Sequence, residues 1–290
     1  MIPSATRLSQ HVDRLGVEHP PIDLASVDYT VHQPEELAQR FGGVLDYMAR
    51  TELEVERNVL ELATLLPDPP EVDRRFYSQV WLPQETHHGL ILDELQVRIG
   101  RPPADTNLDR VSAKIRVVGV FAHLPPVQDV VRMLYYLTGM TTERSALLAY
   151  NRLLDGVVEM GEDAVAHTII IPIRRQEPGH HAYYQMAARM LWRNLGSWQR
   201  WLVRRLRAVS FSPVGAGDAD QRADVGDMML ALGMTDAEEA AAFAGQVARV
   251  ERDLLFAEEQ GLAVPPYVTR SFRECVELAV ARASNRPGEH

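Results

Sequence analysis

Apolar positions recur along this chain at the three-to-four-residue spacing of amphipathic helices, and nowhere over a useful length with the alternation of strands. Four long helices follow. The first spans residues 34 to 66: Pro34 suits a first turn, Leu45, Met48, Val55 and Val59 mark the apolar side, and Pro67-Asp68-Pro69-Pro70 ends it. The second spans 72 to 99 and stops at Gly100-Arg101-Pro102-Pro103. A shorter helical piece falls at 109 to 122. The third covers 127 to 160 and the fourth 163 to 194. The fourth contains Pro172 and Pro178, and an interior proline costs about 3 kcal/mol and kinks a helix. That segment therefore reads as one bent helix or as two, with Pro178 opening the second. Residues 1 to 33 read as an irregular arm, because His19-Pro20-Pro21 prevents a helix. After a loop at Ser212 to Gly217 come two or three short helices, one with a capping box at Thr235 to Glu238, and a flexible tail at 285–290. The pattern predicts an all-α protein with one helical domain over 34–284.

The polar exceptions on the apolar faces carry the candidate chemistry. Glu52 falls on the apolar side of the first helix, with Glu56 in reserve one turn on. Glu54 shares the opposite, wet side with Arg50, Arg57 and Glu61. In the second helix Trp81, Leu82, Glu85, His88 and Leu92 share a face. His87 is rotated from His88 by about 100° and misses the same point. Glu143 stands alone in the third helix, in line with Tyr136, Met140, Leu147 and Tyr150. A buried lone carboxylate is costly, so Glu143 either pairs with Arg144, reaches water or binds a ligand. The fourth helix repeats the second's Glu-x-x-His as Glu177 and His180, with Glu177 a cap-position acid if the helix splits at Pro178. Two Glu-x-x-His pairs and two single glutamates on four helices form the pattern of a di-metal carboxylate site in a ferritin-like four-helix bundle. Four carboxylates balance two divalent ions. Mixed oxygen and imidazole donors suit iron, or alternatively manganese, better than a thiolate-seeking metal.

Composition narrows the setting. In 290 residues, 46% hydrophobic content permits a sizeable core, and the net charge of −10 argues against general nucleic-acid binding. Cys275, the single cysteine, rules out an intrachain disulfide and reads as a helix-packing residue. No apolar run approaches the roughly 20 residues of a membrane span, and the first residues lack a signal peptide's apolar core, so the chain reads as cytoplasmic. Charge is uneven: residues 189 to 207 hold six arginines and no acid. Arg189, Arg193, Arg200, Arg204 and Arg207 make one helical stripe if the helix passes Gly196. Such a stripe either docks an acidic carrier protein or pairs with acids of neighbouring helices while Trp192, Trp198 and Trp201 pack.

These motifs resemble the soluble acyl-carrier-protein desaturases, a family of ferritin-like enzymes, from about Asp46 to Gly217. Asp46-Tyr-Met-Ala-Arg-Thr51-Glu52 is similar to the family's Asp-x-Met-x-Thr-Glu-Glu. Trp81-Leu-Pro-Gln-Glu85-Thr-His-His88-Gly89 keeps the Trp, Glu, His and Gly of Trp-x-x-Glu-Glu-Asn-Arg-His-Gly. Glu143-Arg144 matches the Glu-Arg of Gln-Glu-Arg-Ala-Thr, and Gln176-Glu177-Pro-Gly-His180-His181-Ala-Tyr183 keeps the family's Glu and His. The resemblance implies a di-iron centre with Glu52, Glu143, His88 and His180 as outer ligands and Glu85 and Glu177 as bridges. It also implies O2-dependent oxidation of C–H bonds in a fatty-acyl thioester on acyl carrier protein, a ferredoxin-like electron donor and a homodimer. Two positions differ: Ala146 stands where the family has a threonine thought to help deliver protons, and Gln176 replaces an acid. The alternatives are a di-iron oxygenase acting on an amine, a polyketide or another carrier-bound intermediate, and a metal-storage protein. Arylamine oxygenases of this architecture usually add a metal histidine, and His167, ten residues before Glu177, is at the wrong height for it.

Overall fold

The chain begins with a helix where the sequence predicts an irregular arm. This computed structural model describes residues 4–66, 68–106, 124–214 and 216–285. The helical piece expected at 109–122 and nearly all of the tail lie outside the described residues. α1, Ala5–Glu18, is capped by the Ser4 hydroxyl, which accepts from the Arg7 N–H. It buries Leu8, His11, Val12 and Leu15, a helical spacing that the following prolines overshadow. Pro20 and Pro21 act only after it, in a non-helical strap that leads to a short 3-10 turn at Leu24–Ser26.

The helix expected over 34–66 is two helices, α2 at Pro34–Leu53 and α3 at Val55–Leu65. The chain turns at Glu54, where α5 comes close. A Cβ on Gly89 would lie 2.7 Å from the Leu53 side chain and 2.9 Å from its backbone nitrogen, so only glycine fits. The turn also reverses the expectation for Glu54, which is buried and pairs with Arg57 at 2.6 Å. Glu56 is exposed.

Both Glu-x-x-His helices are entered through a wide π turn. α4, Glu71–Arg75, continues through π-helical Phe76–Trp81 into α5, Leu82–Arg98. α6, Pro125–Glu159, is followed by a turn at Asp163–Val165 and a π segment, Ala166–Ile170, which runs into α7, Ile171–Asn194. Each π segment closes with a five-residue bond, Leu82 N–H to the Tyr77 carbonyl and Ile171 N–H to that of Ala166. The next residue is Pro83 or Pro172, which has no N–H to give, and the wide turn carries the chain past that missing donor. Pro178 lies inside α7 without ending it, so Glu177 is a mid-helix residue.

α2 packs along α5 and α6 along α7. This four-helix core is covered by α8 (Ser197–Ser210), α9 (Ala219–Ala231), α10 (Ala237–Leu255) and α11 (Pro266–Ser284), with α9 against α2 and α8 and α10 against α6. α10 is capped by Asp236, one residue later than the expected Thr235. α7 ends before Gly196 and α8 starts after it, so the single arginine stripe does not form. The protein is an all-α helical bundle, with no strand among the described residues. None of the described helices is long and apolar enough to cross a membrane.

Candidate metal centre

Four helices deliver the six expected side chains to one place. Glu52 comes from the last turn of α2, Glu85 and His88 from α5, Glu143 from α6, and Glu177 and His180 from α7. None is more than 8% exposed. Their donor atoms fall into two groups, each within 4.8 Å: Glu52, Glu85, His88 and Glu177, and Glu85, Glu143, Glu177 and His180. Glu85 and Glu177 belong to both groups. His88 Nδ1 lies 3.2 Å from Glu85 and 3.5 Å from Glu177, and His180 Nδ1 lies 2.8 Å from Glu85 and 3.6 Å from Glu143.

Charge makes this grouping unfavourable without a cation. Burial lifts the Glu52, Glu143 and Glu177 carboxyls above the usual carboxylate range, and the neighbouring Glu85 charge adds to the shift. Burial acts on Glu85 in the same direction, but hydrogen bonding with Glu52 and the charge of His180 outweigh it and hold Glu85 low. His180 is pushed up to about 10, because Glu85 and Glu143 overcome the opposing effect of burial. Protons thus hold the cluster together where cations fit. The orphaned atoms point the same way: Glu85 Oε1, Glu177 Oε1 and His180 Nδ1 are buried and find no hydrogen-bond partner among the described residues. Glu85 Oε1 and His180 Nδ1 are close, but they are not aligned as a hydrogen bond; both face a shared space. These residues can hold a metal ion.

The outer sides of the ligands are fixed. Tyr150 donates to Glu52 at 2.9 Å and the Trp81 indole to Glu143 at 3.1 Å. His88 Nε2 meets Gln176 Oε1 at 2.7 Å, and His180 Nε2 meets Gln84 Oε1 at 2.5 Å. The two glutamines therefore cross over, each serving the histidine of the other helix. Sequence reasoning missed them as site residues, although the repeated unit is Gln-Glu-x-x-His rather than Glu-x-x-His. His87 and His181 face elsewhere, bonded to the carbonyls of Ile22 and Met140. His167 is exposed.

A cavity of about 330 Å³ is lined by Glu52, Glu85, Glu143 and Glu177 together with Trp81 and Tyr184. An aromatic-rich apolar cavity adjoins it, with Thr51, Glu52, Thr142, Ala146 and Val214 on the shared wall. Ser145 donates to the Thr141 carbonyl, which leaves Thr142 as the hydroxyl residue beside Glu143 on that wall.

The arginines divide. Arg207 is buried against Glu251, at 3.0 and 2.9 Å, and cannot belong to a docking surface. Arg200 donates to the carbonyls of Trp192 and Arg193 at the end of α7, and Arg204 lies over the Trp192 and Phe256 rings. Arg189 is half-buried and Arg193 exposed. Comparison with known proteins finds no matching family model, no matching curated protein and no matching solved structure, so likeness to the acyl-carrier-protein desaturases rests on the motifs alone.

Proposed function

We propose that this chain is a di-iron carboxylate oxidoreductase that uses O2 to oxidise C–H bonds of a fatty-acyl thioester. The observation that carries this reading is the pair of overlapping donor groups sharing Glu85 and Glu177, buried on the wall of a cavity. When bound, the metals supply the oxygen chemistry that no side chain provides. The residues do the rest. Glu52 and Glu143 are held in place by Tyr150 and Trp81, Gln84 and Gln176 orient the histidines, and the apolar walls exclude water from the reacting bond. Two adjoining cavities meeting beside Glu52 suit an elongated guest passing the cluster better than a compact ring. Thr142 lines the wall that Ala146 also lines. A ferredoxin-like protein would supply electrons and an acidic acyl carrier protein the substrate, with Arg193, Arg189 and the partly covered Arg200 and Arg204 left as its charged contacts. A di-iron oxygenase acting on another carrier-bound intermediate is the second reading, favoured by Ala146 and by Gln176.

Anaerobic Fe(II) titration tests the metal. Two ions per chain are expected, and none in a Glu85→Ala/Glu177→Ala variant; a wild-type stoichiometry near zero rejects the proposal. Reductant-dependent O2 uptake with acyl thioesters then tests the substrate. Uptake with a desaturated product is expected. Uptake that yields only hydroxylated product selects the oxygenase reading.

A further inference from the structure

The strap between α1 and the 3-10 turn, residues 19 to 22, touches the outer partners of the candidate site. Gln84 Nε2 donates to the His19 carbonyl, and Gln176 Nε2 donates to the Pro20 carbonyl at 2.8 Å. A backbone carbonyl can only accept, so these two bonds settle which end of each amide faces the strap. The other end, a carbonyl oxygen, then faces histidine Nε2 at 2.5 and 2.7 Å. An oxygen there must also accept. Each histidine therefore carries a proton on Nε2, and Nδ1, facing the carboxylates, is the nitrogen left for a cation.

The strap's composition fits this duty. Pro20 and Pro21 have no N–H, so this stretch presents carbonyls with little competing donor capacity. Its hold extends to both ligand helices. His87 of α5 bonds the Ile22 carbonyl at 2.7 Å, and His11 of α1 reaches the Gly179 carbonyl of α7 at 2.9 Å. A Cβ on Gly179 would come within 2.4 Å of Leu15, so α1 lies hard against α7 one residue before His180.

We propose that the proline strap is a positioning element of the metal centre. Acting through Gln84 and Gln176, it fixes His88 and His180 as Nδ1 ligands. The proposal rests on the reading that the cluster binds metal, but the Nε2–H bonds to the two glutamines hold for the metal-free chain as well. Outer partners of metal-bound histidines commonly contribute about 10–100-fold in metal affinity.

The test uses the full chain, with Gln84→Leu and Gln176→Leu as variants close in volume, and Gln84→Glu as a third. Imidazole-nitrogen NMR of metal-free wild type should show slowly exchanging Nε2–H protons on His88 and His180. Gln176→Leu should lose the His88 proton and Gln84→Leu that of His180, a crossed pattern that general loosening of the fold would not give. Gln84→Glu should expel the strap, seen as faster amide exchange in α1, because a carboxylate would face the His19 carbonyl. Co(II) affinity should fall about 10–100-fold in each variant. Absence of the Nε2–H protons in wild type, or leucine variants with unchanged histidine spectra, would overturn the proposal. A wild-type chain with the expected Nε2–H protons and no Co(II) binding would instead overturn the metal reading and with it the strap's role as a metal positioner. Should a variant fail to fold, the wild-type Nε2–H protons still decide.

Discussion

Among the described residues, two of the buried clusters of charge are built on opposite terms. Arg207 and Glu251 form one, between α8 and α10. The guanidinium also donates to the hydroxyls of Thr138 and Thr141 and to the Leu137 carbonyl, and Tyr267 donates to Glu251. One positive charge meets one negative, and the donors and acceptors are largely matched. The six-residue cluster has four carboxylates against two imidazoles and leaves buried donor atoms unmatched. The first is complete as it stands and welds helices together. The second leaves room and unmatched atoms for a guest. Burial of charge does not itself mark a functional site; imbalance within the burial does.

One conservative substitution made in both clusters breaks or sharpens that contrast. Glu251→Gln leaves Arg207 charged and unpaired, and should cost about 3–5 kcal/mol in chemical denaturation. Glu177→Gln replaces a carboxyl whose charged form burial and its neighbours oppose, and should leave the metal-free chain as stable as wild type or more so. An equal loss at both sites would erase the distinction. Metal restores the difference from the other side: divalent metal at about 100 times its Kd should stabilise wild type by about 2.7 kcal/mol and the Glu177→Gln variant far less. Within the ligand helices, His88→Ala and His180→Ala should lose metal while His87→Ala and His181→Ala keep most of it. Equal losses would mean that the helix faces are misassigned. The smallest effect concerns the covering layer. Burial pushes the Cys275 thiol up to about 12, so it stays protonated and shielded at pH 8. It should react with a thiol reagent only after denaturation; reaction in the native state would show that α9 and α11 open.

The long helices and the six clustered side chains were legible because both depend on spacing within one helix. Glu85 and His88 share a face whatever surrounds them. What the sequence hid depends on contact between distant segments. The turn at Glu54 answers Gly89 on another helix, and it buries a glutamate that a straight helix leaves wet. Arg207 lies in line with other arginines, but its partner Glu251 is 44 residues away on α10. α1 was obscured by prolines that follow it, and one of them, Pro20, accepts a hydrogen bond from Gln176. The glutamines stood in plain view beside both motif glutamates. Their crossing could not be read, because it pairs α5 with α7.

The strap also sets an order of events during synthesis. Pro20 bonds a side chain 156 residues later and His11 a carbonyl 168 residues later, so both are made well before their partners. Contacts so far apart in sequence close late. The strap is thus made early and put to use late, and the nascent chain must reach α7 before the support around its histidines can lock. A metal ion that arrived earlier would meet one Glu-x-x-His pair without its counterpart.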